Sequence, residues 1–206
     1  MPKQYIAIIS KSDKTGGGAS RIASGLTDLL NTTKEFEAHH WVGLPGPNKN
    51  WYTEKLHGGR WLSLVQGAFA IGSRAIGFPD FLTPELFFHL ANKKVNYSLY
   101  HFHDISLTFS PIALSWLSKH KPVVWTMHDC SPFTGGCIAP LDCIEFHSGC
   151  KSCPQLKQLP LGTKFDFTGI MQTYKAKILN RQLISLISPS QWLIEESKAA
   201  HAFKIK

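Results

Sequence analysis

No stretch of about 18 uncharged apolar residues occurs in the chain, so no membrane-spanning helix is expected. The N-terminus, MPKQYIAIIS, lacks the longer apolar region and small-residue cleavage site of a signal peptide. It reads as a first buried strand, and a cytoplasmic protein is the expectation. No G-x-G-x-x-G is present, and no Lys-Ser/Thr follows the glycine-rich turn as a Walker loop would require. The Lys and Arg residues are scattered and no DNA- or RNA-binding motif accompanies them, so no nucleic-acid partner is expected. Charged residues are sparse, at 17%, and acid is the scarcer sign: 14 Asp and Glu against 22 Lys and Arg, for a net charge of +8. That balance suits anionic partners such as nucleotide phosphates or an acidic membrane face, or serves only as a soluble basic surface. Five Cys in a chain read as cytoplasmic should be mostly reduced, so metal binding or plain burial explains them better than disulfides.

What is present is enough apolar material for one core. Hydrophobic residues make up 43% of 206 residues, which fits a single domain over 1–206. Ile6 to Ile9 reads as a buried strand. The turn Thr15-Gly16-Gly17-Gly18 and a helix with Ile22, Leu26, Leu29 and Leu30 on one face follow. Phe36 to Val42 reads as a second strand, and LPGPNKNWY after it as loop. Helical spacing returns from Trp61 to Ile76. Thr83-Pro84-Glu85 starts a further helix, with Thr83 as N-cap. Tyr97 to Phe102 reads as a strand ending at His103-Asp104, and Ser110-Pro111 opens another helix. Pro122 to Met127 is a strand ending at His128-Asp129. Residues 130–165 form a Cys- and Pro-rich insertion with little periodicity. A helix around Ile170 to Asn180, a strand over Leu183 to Ile187 and a closing helix after Ser188-Pro189-Ser190 complete the chain. This alternation predicts an α/β fold: a Rossmann-like, doubly wound, mostly parallel sheet with helices on both faces. Ligands on such sheets bind outside the carboxyl ends of the strands.

Four features lie at strand carboxyl ends. Gly16, Gly17 and Gly18 allow positive φ and close approach of a ligand, and the helix after them presents free N–H groups suited to a phosphate; a simple tight turn explains them equally. His128 can hydrogen-bond a substrate hydroxyl or a pyrophosphate, with Asp129 to orient it or bind substrate; the alternative is a satisfied histidine at a strand end. His101 and His103 share one face of their strand by alternation, and Ser190 stands at the last strand end. The cysteines have the sharpest spacing. Cys137, Cys143, Cys150 and Cys153 run C-x5-C-x6-C-x2-C, and the Cys150/Cys153 pair has zinc-knuckle spacing. A structural zinc held by these four thiolates would replace a missing local core; free thiols and labile disulfides are the other readings. Cys130 falls outside the spacing and reads as a buried strand-end residue.

The run HDCSPFTGGCIAPLDCIEFHSGCKSCPQL, His128 to Leu156, resembles a cysteine-rich segment of bacterial glycosyltransferases of family four, which build cell-surface polysaccharides. Gly16-Gly17-Gly18-Ala19-Ser20-Arg21 is similar to that family's glycine turn, and Ser188 to Leu193 resembles the stretch closing its N-terminal domain. The resemblance implies the N-terminal half of a GT-B fold, the acceptor-side domain. The family's C-terminal domain holds the nucleotide-sugar and an E-x7-E motif, and transfer is retaining, without a catalytic metal. By position, Gly17 and Gly18 would approach the donor diphosphate and His128 would sit beside the reacting sugar, with Asp129 next to it. The acceptor would be a glycan or a lipid-linked sugar, and basic surface with Trp51, Tyr52, Trp61 and the apolar residues after it would dock at the inner membrane face; core packing explains Trp61 to Ile76 as well. The sequence ends at Lys206, where the family's donor-binding domain would begin, so no transfer is expected from this chain alone.

Overall fold

The computed structural model describes residues 3–47, 50–79, 95–106, 108–180, 184–201 and 203. Six strands form one sheet in which every pairing is parallel. They are β1 (Gln4–Ser12), β2 (Phe36–Leu44), β3 (Thr53–Lys55), β4 (Leu99–Phe102), β5 (Val123–Thr126) and β6 (Ile184–Ile187). Their spatial order is β3-β2-β1-β4-β5-β6. That is a Rossmann-like arrangement, with the direction of winding reversing between β1 and β4. The strands foreseen from apolar runs are all present. The three-residue edge strand β3 lies just beyond the stretch read as loop, and it is too short to carry a period-2 signal. The helix foreseen from Thr83 lies outside the described residues.

Helices cover both faces. One face carries α1 (Gly18–Asn31), packed over Ile6, Ile8 and Ala38. The other carries α3 (Pro111–Leu117), α4 (Thr168–Leu179) and α5 (Gln191–Ala199), whose Leu114, Ile178, Leu179 and Leu193 join Ile9, Phe102, Val123 and Trp125 in the main core. Two helix starts follow their sequence signals. Ser110 caps α3 by accepting from the Ile112 N–H at 2.9 Å, with Pro111 at the first helical position, and Ser190 caps α5 by accepting from the Leu193 N–H at 3.2 Å.

The apolar face of α1 is not the one most deeply buried. Ile22 and Leu29 are exposed, and Leu26 and Leu30 are only partly buried. The buried stripe is Ser20, Ala23, Ser24 and Thr27. Small side chains let the helix lie close on β1 and β2, where bulky Leu and Ile would hold it off. The hydroxyls also serve polar groups below: Ser20 Oγ accepts from the Ser12 N–H at 3.2 Å, and Ser24 Oγ lies 3.4 Å from His40 Nδ1. The remaining helix, α2 (Arg60–Ala75), follows the foreseen range closely. Between β5 and α4 the only regular structure among the described residues is one turn of 3-10 helix, Glu145–His147.

Candidate functional site

The carboxyl ends of β1, β4 and β5 assemble the candidate site. The N–H of His103 donates to the carbonyl of Ile9 at 2.9 Å, which sets His103 at the reversal between β1 and β4. On that strand face the side chains make two successive cross-strand bonds. His101 Nε2 lies 2.8 Å from Thr126 Oγ1, and His103 Nδ1 lies 3.0 Å from His128 Nε2. The rings follow one another, His101 tilted against His103 at 4.4 Å between centroids and His103 stacked on His128 at 5.3 Å. Burial lowers all three imidazoles from the ordinary value of 6.5, His101 to about 4 and His103 furthest, its neighbours His101 and His128 adding to the effect. His128 is half-buried, and Asp129 beside it partly offsets the desolvation.

Each strand end repeats the same turn. His103-Asp104-Ile105-Ser106 and His128-Asp129-Cys130-Ser131 share the pattern His-Asp-x-Ser. Asp104 Oδ1 accepts from the Ser106 N–H at 3.2 Å, and Asp129 Oδ1 from the Ser131 N–H at 2.8 Å. Asp104 is pushed above the usual carboxylate range by burial first and by the Asp129 charge besides, with Lys11 opposing. A cavity of about 40 Å3 lies beside the two turns, bordered by Ser106, Ser131, Trp125 and Lys175. Lys175 is buried, and its Nζ donates to the Ser131 carbonyl at 2.5 Å. Asp104 stands where the sequence placed it, at the strand end with His103, but the sequence reading gave it no role of its own, and Lys175 was not foreseen. The repeated His-Asp-x-Ser pattern signals the first. The second is a lysine on the inward stripe of α4, four residues after Met171 and one before Ala176.

The glycine turn is built differently from expectation. Gly16, Gly17 and Gly18 all have ordinary negative or extended φ; the positive-φ glycines are Gly58, Gly77, Gly136, Gly149 and Gly162. Gly16 is needed for packing, since a Cβ there would come within 2.6 Å of Ser12 Cβ and 3.0 Å of Ser20. Gly17 and Gly18 face open space. Gly17 is the N-cap of α1, with no side-chain cap and no acidic residue in the first turn. No side chain caps the first N–H groups of α1, which leaves the helix start open to an anion. Asp13, also unforeseen, holds the turn. Its carboxylate accepts from the Thr15 N–H and hydroxyl at 2.9 and 2.6 Å and from the Gly46 N–H at 2.6 Å. Burial works to raise its pKa, but these hydrogen bonds prevail and hold it below the usual range. His40, at the next strand, is buried and 2.8 Å from Ser10 Oγ, with its pKa lowered to about 4 by desolvation.

Ser190, at the β6 end, is exposed and spends its hydroxyl on capping α5. Cys130 is buried, as expected for a strand-end residue. Cys137, Cys143, Cys150 and Cys153 all border one cavity of about 10 Å3, about the room one water needs. Burial raises the thiols of Cys150 and Cys153 to about 12 and 11, the backbone N–H groups of Gly135 and Gln155 opposing the shift. Among the described residues no three His, Cys, Asp or Glu side chains stand close enough together to hold a metal ion. The four thiols surround a common space without being drawn to one point. No protein-family model matches the chain, and no curated protein does.

Proposed function

We propose that this chain is the acceptor-side domain of a retaining glycosyltransferase that moves a sugar from a nucleotide-sugar to a glycan or lipid-linked acceptor. The observation that carries the reading is the hydrogen-bonded His103–His128 pair beside Asp104 and Asp129, at the strand ends that adjoin the sheet reversal. The resemblance of His128 to Leu156 and of the Gly16–Gly18 turn to family-four enzymes assigns the chemistry. In this reading the uncapped N–H groups at the start of α1 receive the leaving diphosphate. His128 meets a sugar hydroxyl, and Asp129 stabilises its orientation. The nucleotide end of the donor would be held by a second domain of GT-B type, so the domain by itself binds but does not transfer.

The test is a titration of the isotope-labelled chain with a nucleoside diphosphate, followed by NMR. The amides of Gly17 to Ser20 and the imidazole of His128 are expected to shift together. Shifts spread over the basic surface, with none at these positions, would sink the assignment. In a protein carrying both halves, His128→Ala is expected to lower sugar transfer by on the order of 100-fold or more while leaving the melting temperature within a few degrees.

A second reading, a zinc-stabilised binding module for an anionic ligand, is favoured by the four cysteines around one cavity. The N–H donors on Cys150 and Cys153 stabilise thiolates, which is what outer partners of a zinc site do. A structural ion would draw the thiols inward and cross-link the irregular segment 127–167, which already packs Phe133 and Phe146 into the main core. Elemental analysis of protein purified under reducing conditions is expected to find about one zinc per chain, and Cys150→Ser to abolish it. Metal-free protein whose melting ignores chelators would end this claim.

A further inference from the structure

Helix α2 is turned inside out. At about 100° per residue, Trp61, Leu64, Val65, Phe69 and Ile71 fall on one half of its circumference, with only Ala and Gly between them. All five are exposed, Trp61 at 81% and Ile71 at 70%. The opposite half carries Arg60, Ser63, Gln66, Ser73 and Arg74. Gln66 and Ser73 are buried, and neither polar atom of the Gln66 side chain has a hydrogen-bond partner. A helix of a water-soluble surface shows the reverse pattern.

This orientation is anchored. Arg74 donates to the carbonyls of Leu161 and Pro160 at 3.1 and 3.3 Å. The Ser73 hydroxyl donates to the Phe78 carbonyl, and the Phe78 ring stacks on Phe167 at 4.6 Å. Rolling the apolar half inward would break these contacts. Exposed Leu159 and Phe165, beside the same end of the helix, extend the apolar surface.

Charge selects the occupant. From Lys55 to Pro79 the chain carries Lys55, Arg60 and Arg74 and no acidic residue. We propose that α2 docks on an anionic lipid bilayer, lying in the interface plane with Trp61, Leu64, Phe69 and Ile71 among the acyl chains and the exposed Lys55 and Arg60 at the headgroups, while Arg74 stays on its carbonyl partners. Its 16 residues span about 24 Å, less than the roughly 30 Å hydrocarbon core, so it lies on the membrane and does not cross it. A second copy would bring the same positive flanks against these. The proposal rests on this surface alone and is independent of the glycosyltransferase reading.

The test is co-sedimentation of the chain with vesicles of phosphatidylcholine alone or with a third phosphatidylglycerol. Binding is expected to the anionic vesicles only and to weaken as salt is raised. The double substitution Trp61→Ser with Phe69→Ser is expected to weaken it by about tenfold or more without lowering the melting temperature. Arg60→Glu should weaken it with the apolar face intact. Failure of the wild-type chain to bind, or undiminished binding by the double variant, overturns the proposal. So does a dimer in light scattering that the double variant disperses, which would make this face a contact between copies. A monomer with Trp61 shielded from acrylamide quenching without vesicles also overturns it, since the chain would then cover its own helix.

Discussion

His103 Nδ1 lies 3.0 Å from His128 Nε2, and the other ring nitrogen of His103 is buried with no hydrogen-bond partner. One proton is shared across the short contact, and its placement decides what His128 offers outward. If His128 donated, the proton of His103 would sit on Nε2, as a buried N–H without an acceptor. If His103 donates from Nδ1, its Nε2 is a bare lone pair, the less costly vacancy. His103 is therefore the donor, and neutral His128 carries its own proton on Nδ1. Long-range nitrogen–proton NMR spectra at neutral pH are expected to show both rings as Nδ1–H tautomers. An Nε2–H signal from His128 would reverse the assignment and make Nδ1 the basic nitrogen.

The two kinds of glycine at the α1 turn should separate cleanly. Gly16→Ala forces a methyl into Ser12 and Ser20 and is expected to cost about 1–3 kcal/mol in urea unfolding, the usual range for overpacking. Gly18→Ala meets open space and should be neutral or slightly stabilising, because alanine is the better helix former. Equal losses at the two positions would contradict the packing described.

Asp13 joins two loops through one carboxylate, with Thr15 on one oxygen and Gly46 on the other. Asp13→Ala leaves both N–H groups without that acceptor, and a loss of roughly 2 kcal/mol is expected. Asp13→Asn should recover part of it, since one amide oxygen still accepts. A melting curve unchanged in both variants would show that water replaces the carboxylate at no cost.

Acid should unfold this domain early. His40, His57 and His101 are all lowered from 6.5 to about 4, in each case by burial before any other cause. A depressed imidazole pKa means that the unfolded chain takes up protons first as pH falls below 6.5. Stability is thus fully present above about pH 6.5 and declines toward pH 4, below which these groups cause no further loss. The raised carboxyl of Asp104 acts in the opposite sense, but it is one group against these three and the likewise lowered His103 and His128. The combined loss is several kcal/mol, on the order of the whole stability of a domain. Urea midpoints measured from pH 7.5 down to 4.5 are expected to fall continuously; a flat profile would mean that the imidazoles are solvated in solution.

The sheet was legible because its signals are local. Apolar runs such as Ile6 to Ile9 and Val123 to Met127 place buried strands wherever they occur, and Ser110-Pro111 and Ser190 start helices by their own backbone chemistry. The strand-end histidines followed from that, since alternation sets His101 and His103 on one face and the end of β5 presents His128. The faces of α1 and α2 were not legible in the same way. Periodicity identifies an apolar stripe without saying what lies opposite it. On α1 the polar Ser10 and His40 beneath select the serine and alanine stripe, so Ile22 and Leu29 face out. On α2 the anchors at Arg74 and Ser73 select the polar half.

By itself, then, the sequence determined the order of strands and helices, the basic balance, the spacing of the four cysteines and the residues standing at each strand end. These depend on neighbours a few positions apart. Only the tertiary structure decided that β4 lies beside β1 and β5 beside β4, which brings His103 to His128, 25 positions apart in the chain. It also decided that four thiols share one cavity and that α2 turns its apolar half outward. Those outcomes are set by which surfaces exclude water together, a property of the packed chain and of no single segment.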